Sequence, residues 1–283
     1  MTQMPIETKP TMTAEFARHL DSGQKIDTSE TYHEVLALRD RIWDYVQSQL
    51  SFTEDLGCAD IHEFSDLSGN PLGRMRNFSG QGDNPVDWVI HSNIGSPENT
   101  FTNIHLTFWM KDNTDIPHLG LAFGTLPEAF YYADLMPRYE LVCHPEHVEK
   151  YYAPVNQLAM EHLTALYQEG VKPFHAAMPF IRSSISPCGI CGVGPLAFYK
   201  QHAEDKIMAM VEYWVNLVKN AKLDSDAAEC AKRRHRDYQQ RKNIVYLDPA
   251  NPIAARLVGQ EAADRLVRIL AGEERNGQFY SHD

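Results

Sequence analysis

Residues 101–124, FTNIHLTFWMKDNTDIPHLGLAFG, constrain this chain most, because they read as two adjacent strands with chemically opposite faces. Strand side chains alternate with period 2. In the first strand Ile104, Leu106, Phe108 and Met110 share one face, and Asn103, His105, Thr107 and Trp109 share the other. The first face is expected to be buried against helices and the second to form a pocket wall. After a turn at Asp112-Asn113, the second strand sets Leu119, Leu121 and Phe123 against His118, Gly120, Ala122 and Gly124. Glycine inside a strand costs packing and entropy, and it often marks close approach by a ligand or another backbone. If the polar and small faces coincide, His105 stands over a flat floor suited to a large planar ligand. The alternative is a hydrogen-bonded structural histidine, with glycines that accommodate a crossing helix.

Candidate strands run over 58–65, 72–79, 85–94, 101–111, 117–124 and 129–135, separated by short turns rich in Gly, Asn, Asp and Pro. Short connections favour an antiparallel meander. In strand 85–94, Asp87, Val89, His91 and Asn93 oppose Val86, Trp88 and Ile90, so the polar set either joins the His105 face or meets water. Arg74 and Arg76 share a face of the preceding strand, as a solvated edge or as a fork for substrate carboxylates.

Helical spacing predicts helices over 28–50, with Asp27 and Glu30 as a capping box, and over 145–168, 196–220 and 224–241. A last helix follows the turn at 248–252. Residues 172–187 read as extended, and Arg182 there binds an anion or pairs with a carboxylate. Residues 1–25 are expected to be a loose arm and 273–283 a loose tail. Between them, 26–272 form one α+β domain whose sheet is covered by helices on both faces.

A formal charge of −12 disfavours nonspecific nucleic-acid binding. The basic run Lys232-Arg233-Arg234-His235-Arg236 with Arg241-Lys242 is a solvated helix face or a docking patch for an acidic partner. No run of 18 apolar residues occurs, and the first 25 residues carry no targeting pattern, so the expected location is cytoplasmic. Five cysteines suit a reducing compartment. Cys188-Gly-Ile-Cys191 has redox or metal spacing but no second pair at zinc-ribbon distance; it reads as a glycine-rich loop, and no metal site is expected.

Several segments together resemble the ferredoxin-dependent bilin reductases and, more closely, the red chlorophyll catabolite reductases. They are PVDWVIHSNI (85–94), DLMPRYELVCHPEHVEKYY (134–152), PFIRSSISP (179–187) and RKNIVYLDPANPIAARLVGQEAADRLVRIL (241–270). The resemblance covers about residues 70–270. It implies an α/β/α sandwich with a central antiparallel sheet that binds a linear tetrapyrrole against the C-terminal helices. It also implies no bound cofactor, with electrons arriving singly from reduced ferredoxin. By position, His105 stands where the histidine of the family's His and Asp pair does, and Asp248 where the C-terminal acid does. The sheet carboxylate, seventeen residues beyond the histidine, falls on Ala122.

The leading expectation is therefore a cofactor-free reductase of a linear tetrapyrrole. His105 and Asp248 would supply protons, Arg74 or Arg182 would pair with propionates, and 232–242 would meet ferredoxin. His91, Trp109, His118, Gly120, Ala122 and Arg76 complete the candidate pocket. Because a proton donor contributes about 10²–10⁴-fold to a rate, loss of the acid at Ala122 keeps two alternatives open. One is an electron-independent lyase or isomerase on a planar aromatic substrate; the other is a noncatalytic tetrapyrrole-binding protein.

Overall fold

The computed structural model describes residues 26–279 except 100, 126, 175, 177, 178, 249 and 277. The expected arm at 1–25 lies outside the described residues.

Helix α1 (Ser29–Gln49) leads into an antiparallel sheet. Its strands are β1 (Phe52–Glu54), β2 (Phe64–Ser65), β3 (Pro71–Gly80), β4 (Val86–Ser96), β5 (Phe101–Met110), β6 (His118–Thr125), β7 (Ala129–Met136), β8 (Lys172–Pro173) and β9 (Ile190–Gly194). The order is β1-β3-β4-β5-β6-β7-β9-β8, with β2 also on β3. Residues 145–169 form a helical stretch ending in α2 (Asn156–Glu169). The chain then adds α3 (Glu204–Lys219), α4 (Ala227–Tyr246), α5 (Asn251–Val258) and α6 (Gln260–Leu270).

The alternation read in 101–124 builds the two layers. Ile104, Leu106, Phe108, Leu119, Leu121 and Phe123 are fully or almost fully buried beneath α1 and α3. From α1, Val35, Leu38, Ile42 and Val46 reach them because residues three and four apart share a helix face. Each such side chain contributes about 1.5–3 kcal/mol relative to exposure. The opposite face carries a second, smaller core in which Met75, Trp88, Ile90, Trp109 and Met136 meet Val258, Ala263, Leu266 and Ile269. The Trp88 indole N–H donates to the Ile269 carbonyl at 3.2 Å and ties α6 to the sheet. The architecture is the α+β sandwich expected, with a central antiparallel sheet between helical layers.

Local departures have physical causes. The expected strand 58–65 is mostly a 3₁₀ turn over Leu56–Ile61, whose first amides are met by the Asp55 carboxylate, accepting from Gly57 N–H at 2.8 Å. The Asp27/Glu30 capping box does not form; Asp27 accepts from Ser29 N–H, and the Thr28 hydroxyl donates to the Pro97 carbonyl. The helix expected over 196–220 breaks at Ala203, and the last helix breaks at Gly259, whose φ of +87° ends α5. The Cys188-Cys191 loop leads directly into β9, and residues 172–187, expected extended, contain a helical turn over Pro179–Ser183. In the expected loose tail, Glu274–Arg275 and Gln278–Phe279 pair as a hairpin, with Glu273 buried.

Candidate functional site

Directly paired strand residues point to one side of a sheet, so the ladders define a row across it: Met75, Ser92, His105, Ala122, Tyr132 and Cys191. Met75 and Ser92 are buried, whereas His105, Ala122, Tyr132 and Cys191 are partly buried and keep some surface, as do Asn103 and Thr107 on the same face of β5. On the opposite face of β5, Ile104, Leu106 and Phe108 are sealed. The partly buried stretch is thus an accessible floor on the side of α4 to α6.

Asp248 reaches this floor from the turn between α4 and α5, where its carboxylate accepts from the Ala250 N–H at 2.8 Å. Burial lowers the His105 pKa, and the nearby Asp248 charge pulls it back up. Burial raises the Asp248 pKa, while the Ala250 amide and His105 oppose that rise. Two groups that resist charging separately but stabilise each other's ionised form titrate together rather than independently.

The floor is less bare than its glycines imply. A Cβ on Gly120 would sit 2.9 Å from Met136 Sδ and 3.2 Å from Tyr132 Cε1, so those side chains already cover it. At Gly124 a Cβ would lie 2.3 Å from the Thr102 carbonyl oxygen, so that glycine answers to a neighbouring backbone.

Trp109 and His118 lie on the same side of the sheet, but Trp109 is roughly 13 Å along the strand from His105. They line a separate polar cavity of about 410 Å³, with Asp87, Tyr238, Arg241 and Arg275 among its walls. His105 is not one of its lining residues, so the cavity adjoins the His105 floor without including it. His118 is fully buried. Its Nδ1 accepts from the Met110 N–H at 2.9 Å, and its Nε2 lies 3.2 Å from Asp237. Burial lowers its pKa to about 4 despite Asp237, so this ring is neutral. Asp237 also pairs with Arg138. Its pKa falls to about 2: burial pushes it up, but the adjacent His118 ring and the Arg138 guanidinium outweigh that.

Asp87 reaches the cavity through a bulge. Val86 pairs with Met110 and Trp88 with Trp109, leaving Asp87 as the extra residue in β4. Val86 consequently joins the core under α1 rather than the face of Trp88 and Ile90. Asp87 accepts from both Arg275 and Arg241. Burial alone would raise its pKa; the two guanidinium groups instead hold it far below the usual carboxylate range.

Three sequence candidates lie away from His105. Arg74 pairs with Asn93 and Arg76 with His91, which in turn pairs with Leu106 rather than with His105, placing all three on the opposite side of the sheet. Arg76 is engaged by Glu54 at 2.6 and 2.7 Å, so the expected carboxylate fork is occupied. His91 packs 5.5 Å from the Trp43 ring, and burial, aided by the Arg39 charge, depresses its pKa to about 3. Arg182 is exposed and donates to the Ala176 carbonyl at 2.7 Å.

Cys188 contacts the Tyr152 carbonyl at 3.5 Å, while Cys191 contacts the Phe174 carbonyl at 3.9 Å. Burial raises their pKa values to about 11 and about 12, so both remain thiols at neutral pH. At the surface before α2, His144, Glu146 and His147 bring potential metal-ligand atoms within 4.8 Å of one another. In the basic run of α4, Arg233 is buried against Asp224 and Tyr139, Arg234 pairs with Asp112, and Arg241 is buried at Asp87. Lys232, Arg234 and Lys242 keep substantial exposure. Among the described residues no helix is long and apolar enough to cross a membrane.

Sequence reasoning missed Tyr132, Asp134 and Arg275. Asp134 is fully buried on β7 and accepts from Tyr132 and Ser186. A signal for it was available: Tyr132 and Asp134 are two apart in a strand and so share a face.

A family model described as red chlorophyll catabolite reductase matches residues 35–272. Red chlorophyll catabolite reductase 1, chloroplastic, of Oryza sativa subsp. japonica is 24% identical over 224 residues, covering 74% of this chain and 67% of that protein. Red chlorophyll catabolite reductase of Hordeum vulgare is 22% identical over 195 residues, covering 64% of this chain and 94% of that protein. The fold is similar to that of phytochromobilin synthase from tomato, crystallised in complex with biliverdin. The TM-score is 0.70 at 15% identity, covering 87% of this chain and 83% of that one. Because the family model spans most of the sequence, the chain belongs to the red chlorophyll catabolite reductase family and is a tetrapyrrole-related reductase.

Proposed function

We propose that this protein reduces a linear tetrapyrrole held between the partly buried floor and the layer formed by α4, α5 and α6. Electrons arrive one at a time from reduced ferredoxin, with no redox group bound by the protein itself, and His105 and Asp248 supply protons. The observation that carries this reading is the His105 and Asp248 pair, an imidazole and a carboxyl group brought from distant segments to act on each other over an accessible floor. Family membership and the biliverdin bound by the tomato neighbour support the pigment class. The exposed cations Lys232, Arg234 and Lys242 are the part of α4 available to an acidic ferredoxin, since Arg233 and Arg241 are committed internally. Cytoplasmic placement belongs to the same proposal, although the rice relative is named as chloroplastic.

The test is an anaerobic absorbance titration with biliverdin and with a chlorophyll-derived linear tetrapyrrole, followed by reduced ferredoxin. A spectral shift on binding, then donor-dependent bleaching that is lost in His105→Gln or Asp248→Asn, supports the reading. A shift without turnover leaves a binding protein, and activity without any electron donor points to the lyase or isomerase. No shift with either pigment overturns the tetrapyrrole assignment.

A further inference from the structure

The reading above leaves one ionisable cluster on the site face without a task, and it adjoins the position where a carboxylate is missing. Ala122 pairs with His105 on one side and with Tyr132 on the other. Tyr132 is therefore two strands from His105, roughly 10 Å at normal strand spacing. Its ring lies over Gly120, the residue keeps some surface, and its hydroxyl donates to Asp134 at 3.2 Å. Asp134 has no exposed surface and is held from behind by the Ser186 N–H at 2.8 Å and the Ser186 hydroxyl. The groups facing Asp134 are Tyr132 on β7, Cys191 on β9, Cys188 in the preceding turn and Tyr152 on the 145–169 helical stretch.

We propose that Tyr132 is a second proton-donating catalytic residue, taking the place of the sheet carboxylate absent at Ala122, and that Asp134 positions its hydroxyl and returns its proton. The proposal rests on the tetrapyrrole reading. Reduced ferredoxin supplies one electron to the bound pigment. The Tyr132 O–H bond breaks as a C–H or N–H bond forms on the resulting radical anion. The Asp134 carboxyl proton then restores the tyrosine, and Asp134, which has no surface of its own, regains a proton from solvent through Tyr132 once the product leaves. Each cycle adds one electron and one proton to the pigment.

The chemistry of the two side chains suits this order. Burial, reinforced by Asp134, keeps Tyr132 protonated far above neutral pH, so its proton leaves only toward a strong base such as a reduced pigment. Burial raises Asp134 to about 6 against the opposing Ser186 and Tyr132 hydrogen bonds, so a protonated carboxyl is accessible near neutrality.

The experiment compares the full-length protein with Tyr132→Phe, Asp134→Asn and the double variant Tyr132→Phe/Ala122→Asp, in pigment titrations and anaerobic single turnovers over pH 5–8. Tyr132→Phe is expected to bind pigment within about 3-fold of the unsubstituted protein and to slow the bleaching step by about 10²-fold or more. Asp134→Asn should remove a rate inflection near pH 6. Restoring an acid at Ala122 should recover rate in the Tyr132→Phe background. Bleaching within 2-fold of normal in a Tyr132→Phe protein that still binds pigment overturns the proposal. So does slow turnover in Asp134→Asn with an unchanged pH profile. Failure of the unsubstituted protein to bind or bleach either pigment would instead be a failure of the tetrapyrrole reading, and would take this proposal with it.

Discussion

His105 and Ala122 face each other as directly paired residues of the β5–β6 ladder, so on that side the histidine meets a methyl group. Its charged neighbour is instead Asp248, contributed by the turn before α5. Replacing either member by a neutral amide, His105→Gln or Asp248→Asn, is expected to slow donor-dependent bleaching by about 10²–10⁴-fold. Asp248→Asn should also lower the His105 pKa further, because it removes the charge that opposes burial. An NMR titration of the His105 ring checks this; an unchanged or raised value would separate the two residues.

Stability should fall on acidification. His118 and His91 have native pKa values of about 4 and about 3, below the usual 6.5, so the native protein binds fewer protons than the unfolded chain in that window. The stability they support is complete above pH 6.5 and declines toward those values, by at most about 3 kcal/mol for His118. Asp134 acts in the opposite sense, since its native value of about 6 exceeds the unfolded 3.8 and it favours folding as pH drops through 6. Urea denaturation at pH 7 and pH 4.5 should therefore show a loss on acidification that is shallower in His91→Gln and steeper in Asp134→Asn. A flat profile in the unsubstituted protein would contradict the assigned burial.

Asp87 is the shared carboxylate of two guanidinium groups with little exposure, those of Arg241 and Arg275. Asp87→Asn leaves both without their shared anion. Because Asp87 is itself about a third exposed, the expected cost is about 2–3 kcal/mol, below that of a fully dry pair. Chemical denaturation measures it, and a change under about 0.5 kcal/mol would mean that solvent already screens the cluster.

The two glycines of β6 should respond differently to a methyl group. Gly124→Ala drives Cβ against the Thr102 backbone oxygen, which cannot rotate away, and is expected to cost about 1–3 kcal/mol. Gly120→Ala meets the flexible Met136 thioether first and should cost less than about 1 kcal/mol. Thermal midpoints of the two variants decide the order.

The strands and their faces were legible wherever strict alternation met turn residues, which is why 101–124 led directly to the two layers. The histidine was legible from alternation, but its link to the distant acid only through resemblance, since no local pattern relates residue 105 to residue 248. His91 went to the wrong side because polarity alone does not give the β4–β5 register: alternation holds from Trp88 onward, pairing with Leu106 sets His91 on the face opposite His105, and the bulge displaces only Val86 and Asp87. Arg275 was hidden in a segment of polar composition that gains order from tertiary partners: Asp87 holds Arg275, and Tyr238 and Tyr246 hold Glu273. The glycines of β6 signalled close approach correctly, but the approaching groups are Met136, Tyr132 and the Thr102 backbone.

The two cores differ in size, and that inequality sets where the molecule opens. Beneath α1 and α3 an extensive apolar cluster joins the sheet to its helices, whereas α5 and α6 rest on a few side chains and the Trp88 anchor. Free energies of local opening follow buried contact, so the amides of α5 and α6 exchange with solvent before those of β5 and β6. On the proposed function, transient lifting of that thin layer would admit a bulky planar molecule while β5 stays fixed.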